Sequence, residues 1–369
     1  MAPGMTAHSE VGASAVHLRG VLLPDDDVAD LWVAGDRISR EQISGAETIM
    51  RGGWLLPGLV DVHTHPGADS PGDPLDDDVL RRDAEAHRDS GVTLIRAPGA
   101  AGRLPGWFGD DPDLPRVRSA GPWLATEKGF FPGWGRRESL ETLPDAAVDE
   151  AQSSGGWCKV IADWSFDDEP VRRYGPTVPP EVLSEIVRRV HAIGGRVAVH
   201  SQHEDGCTAA VFAGVDSLEH GMHLRLDLLD RMADQGTVLV PTMCAFSGTK
   251  ASLRKQPPES DAWGRWKSTG WERHPNLVRC AFEAGVTVLA GTDGAAGIIA
   301  DEVDCLVAAG VPADVAVGGA SWVARSWLGF GGLEHGAPAD VVGYDEDPRV
   351  HPDVLRRPSR IILRGRVVR

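Results

Sequence analysis

The stretch LLPGLVDVHTHPG, residues 55–67, decides how the chain is read. Apolar residues run straight into His63 and His65, which are separated by one position. In an extended chain successive side chains point to opposite faces, so residues two apart share a face and both imidazoles project from the same strand end. Two convergent imidazoles suit a metal ion. A pair of solvent-facing histidines on a loop would give the same letters, so the rest of the chain has to decide.

Working outward, AVHLRGVLL, DLWVAGDRISR and ETIMRGGWLL upstream read as short strands separated by turns. Downstream of about residue 57, short apolar runs alternate with amphipathic helical patterns, which points to βα units and a parallel sheet. The clearest unit is PPEVLSEIVRRVHAIGGRVAVHS. Its Leu183, Ile186, Val187 and Val190 recur at helical spacing behind a Pro-rich entry, Gly194 and Gly195 close the helix, and RVAVHS is the next strand.

The candidate strands are LVDVHTH, GVTLIRAPG, PRVRSAGPWLA, WCKVIADW, RVAVHS, DSLEHG, GTVLVPTM and GVTVLAGTD. Eight parallel strands with helices between them predict an α/β fold of the (β/α)8 TIM-barrel type, whose active site lies at the C-terminal strand ends. After a final helical pair near Asp301 to Leu328, ADVVGYDED and SRIILRGRVVR read as strands again. Both termini are therefore expected in one small β-sandwich domain, residues 1–56 and 332–369, beside a barrel of residues 57–331. A doubly wound open sheet is the structural competitor, but no glycine-rich dinucleotide fingerprint follows an early strand.

Composition narrows the function classes. Over 369 residues, 42% hydrophobic and 25% charged residues are those of an ordinary globular protein. A net charge of −17 argues against a nucleic-acid partner, which clustered Lys and Arg would serve. Five cysteines, scattered and without a CxxC pair, indicate neither a disulfide framework nor a thiolate zinc site. No basic segment precedes a long apolar run, and no run reaches membrane-spanning length, so the expectation is a cytoplasmic protein without a membrane partner. Homo-oligomerisation is left open.

Metal-competent and reactive residues fall at the ends of different strands: His63 and His65, Lys159, His200, His220 and Asp293. Singly, each has a structural explanation, such as a hydrogen-bonded core histidine at 220 or a turn aspartate at 293. Together they occupy the places where a barrel concentrates function. PGLVDVHTH, Lys159 in WCKVIAD, His200 in VAVHS, His220 in SLEHG, Asp293 in GTDG and the tail GAPADVVGYDEDP resemble the metal-dependent amidohydrolase superfamily, in its prolidase and imidazolonepropionase-like branch. The resemblance implies that His63, His65 and Asp293 hold one divalent ion and His200 and His220 a second. Lys159, carboxylated by carbon dioxide, would bridge them. It further implies a metal-bound hydroxide as nucleophile, with Asp293 as base and then acid.

Elementary chemistry agrees with those roles. Neutral imidazoles and carboxylate oxygens suit Zn(II), and two ions about 3.5–4 Å apart can share and acidify one water-derived ligand. A bridging ligand has to be anionic. Lys159, flanked by Val160 and Ile161, is desolvated, which favours the neutral amine able to react with carbon dioxide.

One departure narrows the reaction. Deaminase relatives carry a glutamate three residues after the fifth-strand histidine; here that position is His203, with Glu204 one residue late. Hydrolysis of an amide-type C–N bond in an N-acyl, peptide-like or cyclic amide is therefore expected over deamination of a nitrogen heterocycle. His203 stands as a second candidate proton shuttle. A non-catalytic binding barrel is disfavoured because every candidate ligand is present. VHSQH where relatives often show VHAH, and RAPG rather than RDxG, leave the substrate open.

The loops after the strands are long and aromatic. Trp107, Phe108, Phe130, Phe131, Trp134, Trp164, Trp263 and Trp266 are candidates for an apolar vestibule, or else for packing loops onto outer helices. Tyr174, with Arg172 and Arg173, is placed in the loop after the fourth strand as a candidate for catalysis and for holding a substrate carboxylate.

Overall fold

The structure is a computed structural model that describes residues 15–168, 171–246 and 262–369. The chain opens with β1 (Val16–Leu22), β2 (Asp27–Ala34), β3 (Arg37–Ser39) and β4 (Glu47–Pro57). Along β1, Val16, Leu18, Gly20 and Leu22 are buried while His17, Arg19 and Val21 between them are less so, the period-two pattern of a strand covered on one face. β1 pairs antiparallel with β2 and parallel with β4.

Two parallel sheets follow. β5 (Leu59–Asp61), β6 (Val92–Ala97) and β7 (Arg116–Ser119) form the first. The second is begun by β8 (Leu124–Ala125), β9 (Arg136–Arg137) and β10 (Trp157–Ile161). An antiparallel hairpin of β11 (Asp163–Asp168) and β12 (Val171–Pro176) intervenes. β13 (Arg196–Ser201), β14 (Ser217–His220) and β15 (Val238–Val240) then complete the second sheet, in the order β15-β14-β13-β10-β8-β9. Every residue of β6 and β10 is buried, because parallel strands with helical connections are covered on both faces. The predicted helix spans Pro180–Ala192 and buries Leu183, Ile186, Val187 and Val190.

The chain returns through β16 (Val341–Tyr344), β17 (Arg360–Leu363) and β18 (Arg366–Val367). β16 adds antiparallel to β4, so the two ends of the chain build one continuous seven-stranded sheet, β18-β17-β16-β4-β1-β2-β3. The two ends thus meet by addition of β16 to the edge at β4, and the other edge strand, β3, bonds in turn to residues 336–339.

Five expectations are corrected. The third strand is split into β7 and β8 at Gly121, whose φ of 71° and contact with Glu150 and Ser154 leave no room for a side chain. The segment 286–290 is not a regular strand, yet it is bonded on both sides, by Leu239 N→Thr287 O at 2.9 Å and Val62 N→Ala290 O at 3.1 Å. The loop said to carry Tyr174 is the β11–β12 hairpin. The second half of the long loop after β15 is the helix Ala262–Glu283, which buries Trp271, Leu277, Val278 and Ala281; residues 247–261 lie outside the described residues. The closing helical pair is three helices, Ile299–Ala309, Ala313–Gly319 and Trp322–Trp327.

A buried ion network ties the terminal sheet to the N-terminal ends of β5 and β6. Asp340, fully buried, accepts from Arg325 at 2.9 Å, Arg116 at 2.7 Å and the backbone N–H of Arg364 at 2.9 Å. Arg325 also donates to Gly58 O and Thr93 Oγ1. All five cysteines are free, and among the described residues no helix is long and apolar enough to cross a membrane.

Candidate metal centre

His63 and His65 leave the end of β5 on the same side, as the two-residue spacing requires: their Nε2 atoms lie 3.1 Å apart. Asp293 joins them, with Oδ1 3.6 Å from His63 Nε2 and 3.3 Å from His65 Nε2. Local backbone explains the convergence. Asp293 N donates to His63 O at 2.7 Å, and Asp61 accepts from His63 N, Thr292 N and Thr292 Oγ1. A Cβ on Gly291 would strike His63, so only glycine lets the two segments close up. Asp293 itself has φ 45°, a left-handed conformation tolerated by aspartate and typical of functional positions.

The outer ring nitrogens fix which atoms face inward. His63 Nδ1 donates to Glu219 at 2.7 Å, and His65 Nδ1 to Gly99 O at 2.7 Å. Both Nε2 atoms therefore present lone pairs, toward one another and toward a carboxylate oxygen. Such an arrangement repels itself until a cation sits among the three, so these residues fit a metal ion. Thr242 Oγ1 gives its hydrogen to Pro241 O and accepts from His220 Nδ1 at 2.8 Å, leaving His220 Nε2 as a lone pair too. The Tyr174 hydroxyl donates to Asp163 O at 3.4 Å and accepts from His200 Nε2 at 2.8 Å, which leaves a lone pair on His200 Nδ1. The His200 and His220 rings are 4.5 Å apart and His220 is 5.1 Å from His63, outside the tight trio of His63, His65 and Asp293.

Electrostatics suit the same purpose. Burial depresses His63 to about 4 and, with Lys159 nearby, His200 to about 3; His220 is held well below its usual value by burial and by its neighbouring histidines. These imidazoles are neutral at pH 7, as metal ligands must be. Burial opposes ionisation of Asp293, but His63 and His65 outweigh it and bring the carboxyl to about 2. Lys159 is 1% exposed, its Nζ has no hydrogen-bond partner, and burial lowers it to about 8. A buried amine with nothing to bond is itself a sign of missing chemistry.

Sequence reasoning missed the support behind His63. Glu219 receives His63 Nδ1 on one oxygen, and Arg96 Nη1 and Nη2, both at 3.1 Å, with Ser217 Oγ at 2.6 Å, on the other. Burial pushes Glu219 up, but Arg96, Lys159 and His63 hold it well below the usual carboxylate range. Strand alternation would send Glu219 and His220 to opposite faces. His220 has φ 68°, which breaks the alternation and lets both face the centre.

A cavity of about 280 Å³ opens over the trio. Phe130, Phe131, Trp134, Trp164 and Trp263 line it, and so does Trp123, overlooked in the third-strand sequence, stacked on Trp134 at 4.8 Å and edge-on to His65 at 5.0 Å. Other vestibule candidates lie elsewhere: Phe108 is in the core, Trp107 bonds Asp77, and Trp266 stacks on Tyr174 and His223. His203 is also displaced from the expected place. It caps the helix Glu204–Ala213, accepting from Asp205 N, while Gln202 lines the cavity in its stead. Arg173 is exposed over Phe166; the side chain of Arg172 lies outside the described residues.

The model of the amidohydrolase family matches residues 54–368. The chain belongs to the amidohydrolase family. Membership makes it an enzyme acting on amide-type C–N bonds. An uncharacterized protein of Mycobacterium tuberculosis is 39% identical over 365 residues, covering 96% of each chain. Ochratoxinase of Aspergillus niger is 28% identical over 234 residues, 61% of this amidohydrolase and 46% of the relative; its crystal structure superposes with TM-score 0.78 at 22% identity, covering 96% of each. A Xaa-Pro dipeptidase with bound methionine in the active site gives TM-score 0.78 at 22% identity, over 96% of this chain and 99% of that one. At such identities the structural matches establish a shared fold, in line with the prolidase-like resemblance of the sequence.

Proposed function

We propose that this amidohydrolase is a metal-dependent hydrolase of small amides, N-acyl, peptide-like or cyclic, that carry an apolar group. The observation that carries this reading is the convergence of two imidazole lone pairs and the Asp293 carboxylate in front of an aromatic cavity. In it His63, His65 and Asp293 hold one divalent ion, His200 and His220 a second, and both are Zn(II) by ligand type. When bound, the ions supply Lewis acidity that activates water and the substrate carbonyl. Lys159 is assigned as the bridge. Its neutral amine adds to carbon dioxide, forming an N–C bond and releasing one proton to leave an anionic carbamate, and its lowered basicity supports that step.

The chain's own side chains divide the remaining work. Asp293, ionised and beside His65, takes a proton from the attacking water and returns it to the departing nitrogen. Glu219 and Arg96 keep the His63 ring in one tautomer and orientation, as partners behind metal ligands do. Tyr174, bonded to His200 Nε2 and Asp163 O, orients the His200 ring. Trp123, Phe130, Trp134 and Trp164 exclude water and receive the apolar group. His203, bonded at a helix cap away from the cavity, has no part in this scheme, which also weighs against deamination.

Architecture is part of the same reading. The two parallel sheets and segment 286–290 are taken as one closed (β/α)8 barrel of residues 57–331, supported by the bonds from that segment to β15 and to Val62, with residues 1–56 and 332–369 as the accompanying domain. A small-molecule substrate, no nucleic-acid or membrane partner, and a cytoplasmic setting fit the acidic chain and its scattered free cysteines.

The test pairs metal analysis with a substrate panel. Reconstituted enzyme is expected to hold close to two divalent ions per chain, fewer in Lys159→Ala, and to cleave hydrophobic N-acyl amino acids, dipeptides or lactams. Asp293→Asn should lower kcat by about a hundredfold or more. Ammonia released from aminopurines or aminopyrimidines with the amides untouched would overturn the hydrolase reading.

A further inference from the structure

We propose that the protein binds a phosphate group, free or carried on a small molecule, in an arginine-lined cavity at the opposite end of the parallel strands from the metal centre.

Arg116, Arg364 and Arg366 line an open cavity of about 340 Å³ whose wall also includes Gly35, Asp36 and Gly365. Three separate segments supply that wall. Arg116 opens β7, Arg364 and Gly365 form the two-residue turn between β17 and β18, and Gly35 and Asp36 form the turn between β2 and β3. The two turns touch, since a Cβ on Gly365 would strike Gly35 O. Both φ values of the β17–β18 turn are positive, 49° at Arg364 and 80° at Gly365, the backbone of a hairpin turn that usually carries Asn-Gly. An arginine takes that conformation less readily than asparagine, and here it brings a guanidinium to the cavity.

The buried side of this corner is closed by Asp340, but its outward donors are not engaged. Arg116 uses Nε and Nη2 on Asp340 at 2.7 and 3.4 Å, and Arg364 uses Nε on Leu114 O at 3.2 Å and Nη2 on Gly109 O at 2.8 Å. Each retains an Nη1 that bonds nothing and is not buried. Arg366 bonds Asp113 through Nη1 at 2.8 Å and keeps Nε and Nη2. Positive charge is in excess as well. Asp340 is shared between Arg116 and Arg325, Arg364 meets only carbonyl oxygens through its side chain, and Asp36 is paired with Arg37. Asp110 and Asp111 attract Arg364, but Asp111 is itself bonded to Arg81. Burial and repulsion from Arg116 lower the pKa of Arg364, as happens where like charges crowd.

Unengaged N–H donors on guanidiniums from separate segments suit a tetrahedral oxyanion. A planar carboxylate is filled by one guanidinium fork, whereas a phosphate dianion has oxygens for several. Bound there, it joins β7 of the first parallel sheet to the terminal sheet and stabilises their junction.

The test is calorimetric titration of full-length, metal-loaded enzyme with inorganic phosphate and, for a monoester, with glycerol 3-phosphate. A binding event is expected that sodium chloride at equal ionic strength does not reproduce. Phosphate held at the metal centre is recognised by its loss after chelation, which leaves the arginine site intact. Arg364→Asn suits a turn of positive φ, so the hairpin forms while the guanidinium is lost. It and Arg366→Gln should each weaken binding by about tenfold or more, the scale of a charge-assisted hydrogen bond. Phosphate should raise the melting temperature of chelated wild type and leave that of chelated Arg364→Asn in place. Arg357→Gln, which removes an exposed arginine paired with Asp353 outside the cavity, should bind as wild type does. Binding of both compounds assigns the site to phosphate groups in general, of inorganic phosphate alone to the free ion, and of the monoester alone to a phosphorylated small molecule. Absence of any event beyond that of chloride, or a loss as large in Arg357→Gln, overturns the proposal. Equal affinity in wild type, Arg364→Asn and Arg366→Gln overturns it too and marks an adventitious ion only.

Discussion

At the N-terminal ends of β5 and β6, the buried carboxylate of Asp340 is met by Arg325, Arg116 and the backbone N–H of Arg364. Beyond the C-terminal end of β5, His63 and His65 point lone pairs at each other, and Lys159 Nζ, on β10, bonds nothing. Both clusters are buried and polar, yet one is satisfied within the protein and the other is not. Unsatisfied groups cost stability, and they persist where a ligand completes them. The satisfied end joins the terminal sheet to the parallel strands; the unsatisfied end is the site. A parallel-strand α/β enzyme is expected to divide its labour in this way, with conserved geometry for stability below and for chemistry above.

The contrast can be broken first at its reactive end. His63→Ala is expected to reduce kcat/KM by at least about a thousandfold, since a metal ligand and its Glu219 relay are lost together. The metal-free variant should melt no lower than the metal-free parent, because one of the opposed lone pairs is gone. A clear fall in its melting temperature would show that the trio stabilises the fold after all.

At the satisfied end the expectation is reversed. Arg325→Leu should cost about 3 kcal/mol in denaturant unfolding by leaving Asp340 partly unpaired, while kcat per folded molecule stays the same. Loss of activity without loss of stability would place the network in the catalytic machinery.

The gentlest test uses pH, where the two ends should differ in sign. Asp340 is held below its ordinary value: burial raises it, and Arg325 and Arg116 outweigh that. Its contribution is present above the unfolded pKa and is lost as pH falls through the lower folded one. Near the site, Glu302 accepts from Met243 N at 2.9 Å and Cys244 N at 2.8 Å, and burial raises it to about 7 despite those bonds. Between the unfolded value and about 7 the unfolded chain ionises first, so the native state loses stability as pH rises through that window. Glu302→Gln, which keeps an acceptor for one of those N–H groups, should remove the slope there and leave the acid limb due to Asp340. An unchanged slope would mean that Glu302 ionises normally.

Much of this was legible in the chain. HxH after an apolar run, GTD at the end of another, and a helix bounded by Pro180 and Gly194 follow from period-two and period-3.6 spacing, which are local properties. His63, His65 and Asp293 were found because metal ligands are chemically rare and were placed at predicted strand ends. Tertiary structure decided the rest. Glu219 lies 156 positions from His63 and Arg96 123 from Glu219, so no spacing rule links them. The left-handed turn at His220 inverts the alternation a strand would impose, and the Asp205 N–H draws His203 to a helix cap while Asp163 leaves Gln202 in the cavity. Local periodicity tells which face a side chain starts from; which partner it meets is set by backbone hydrogen bonds between segments far apart in the chain, and those exist only once the fold has formed.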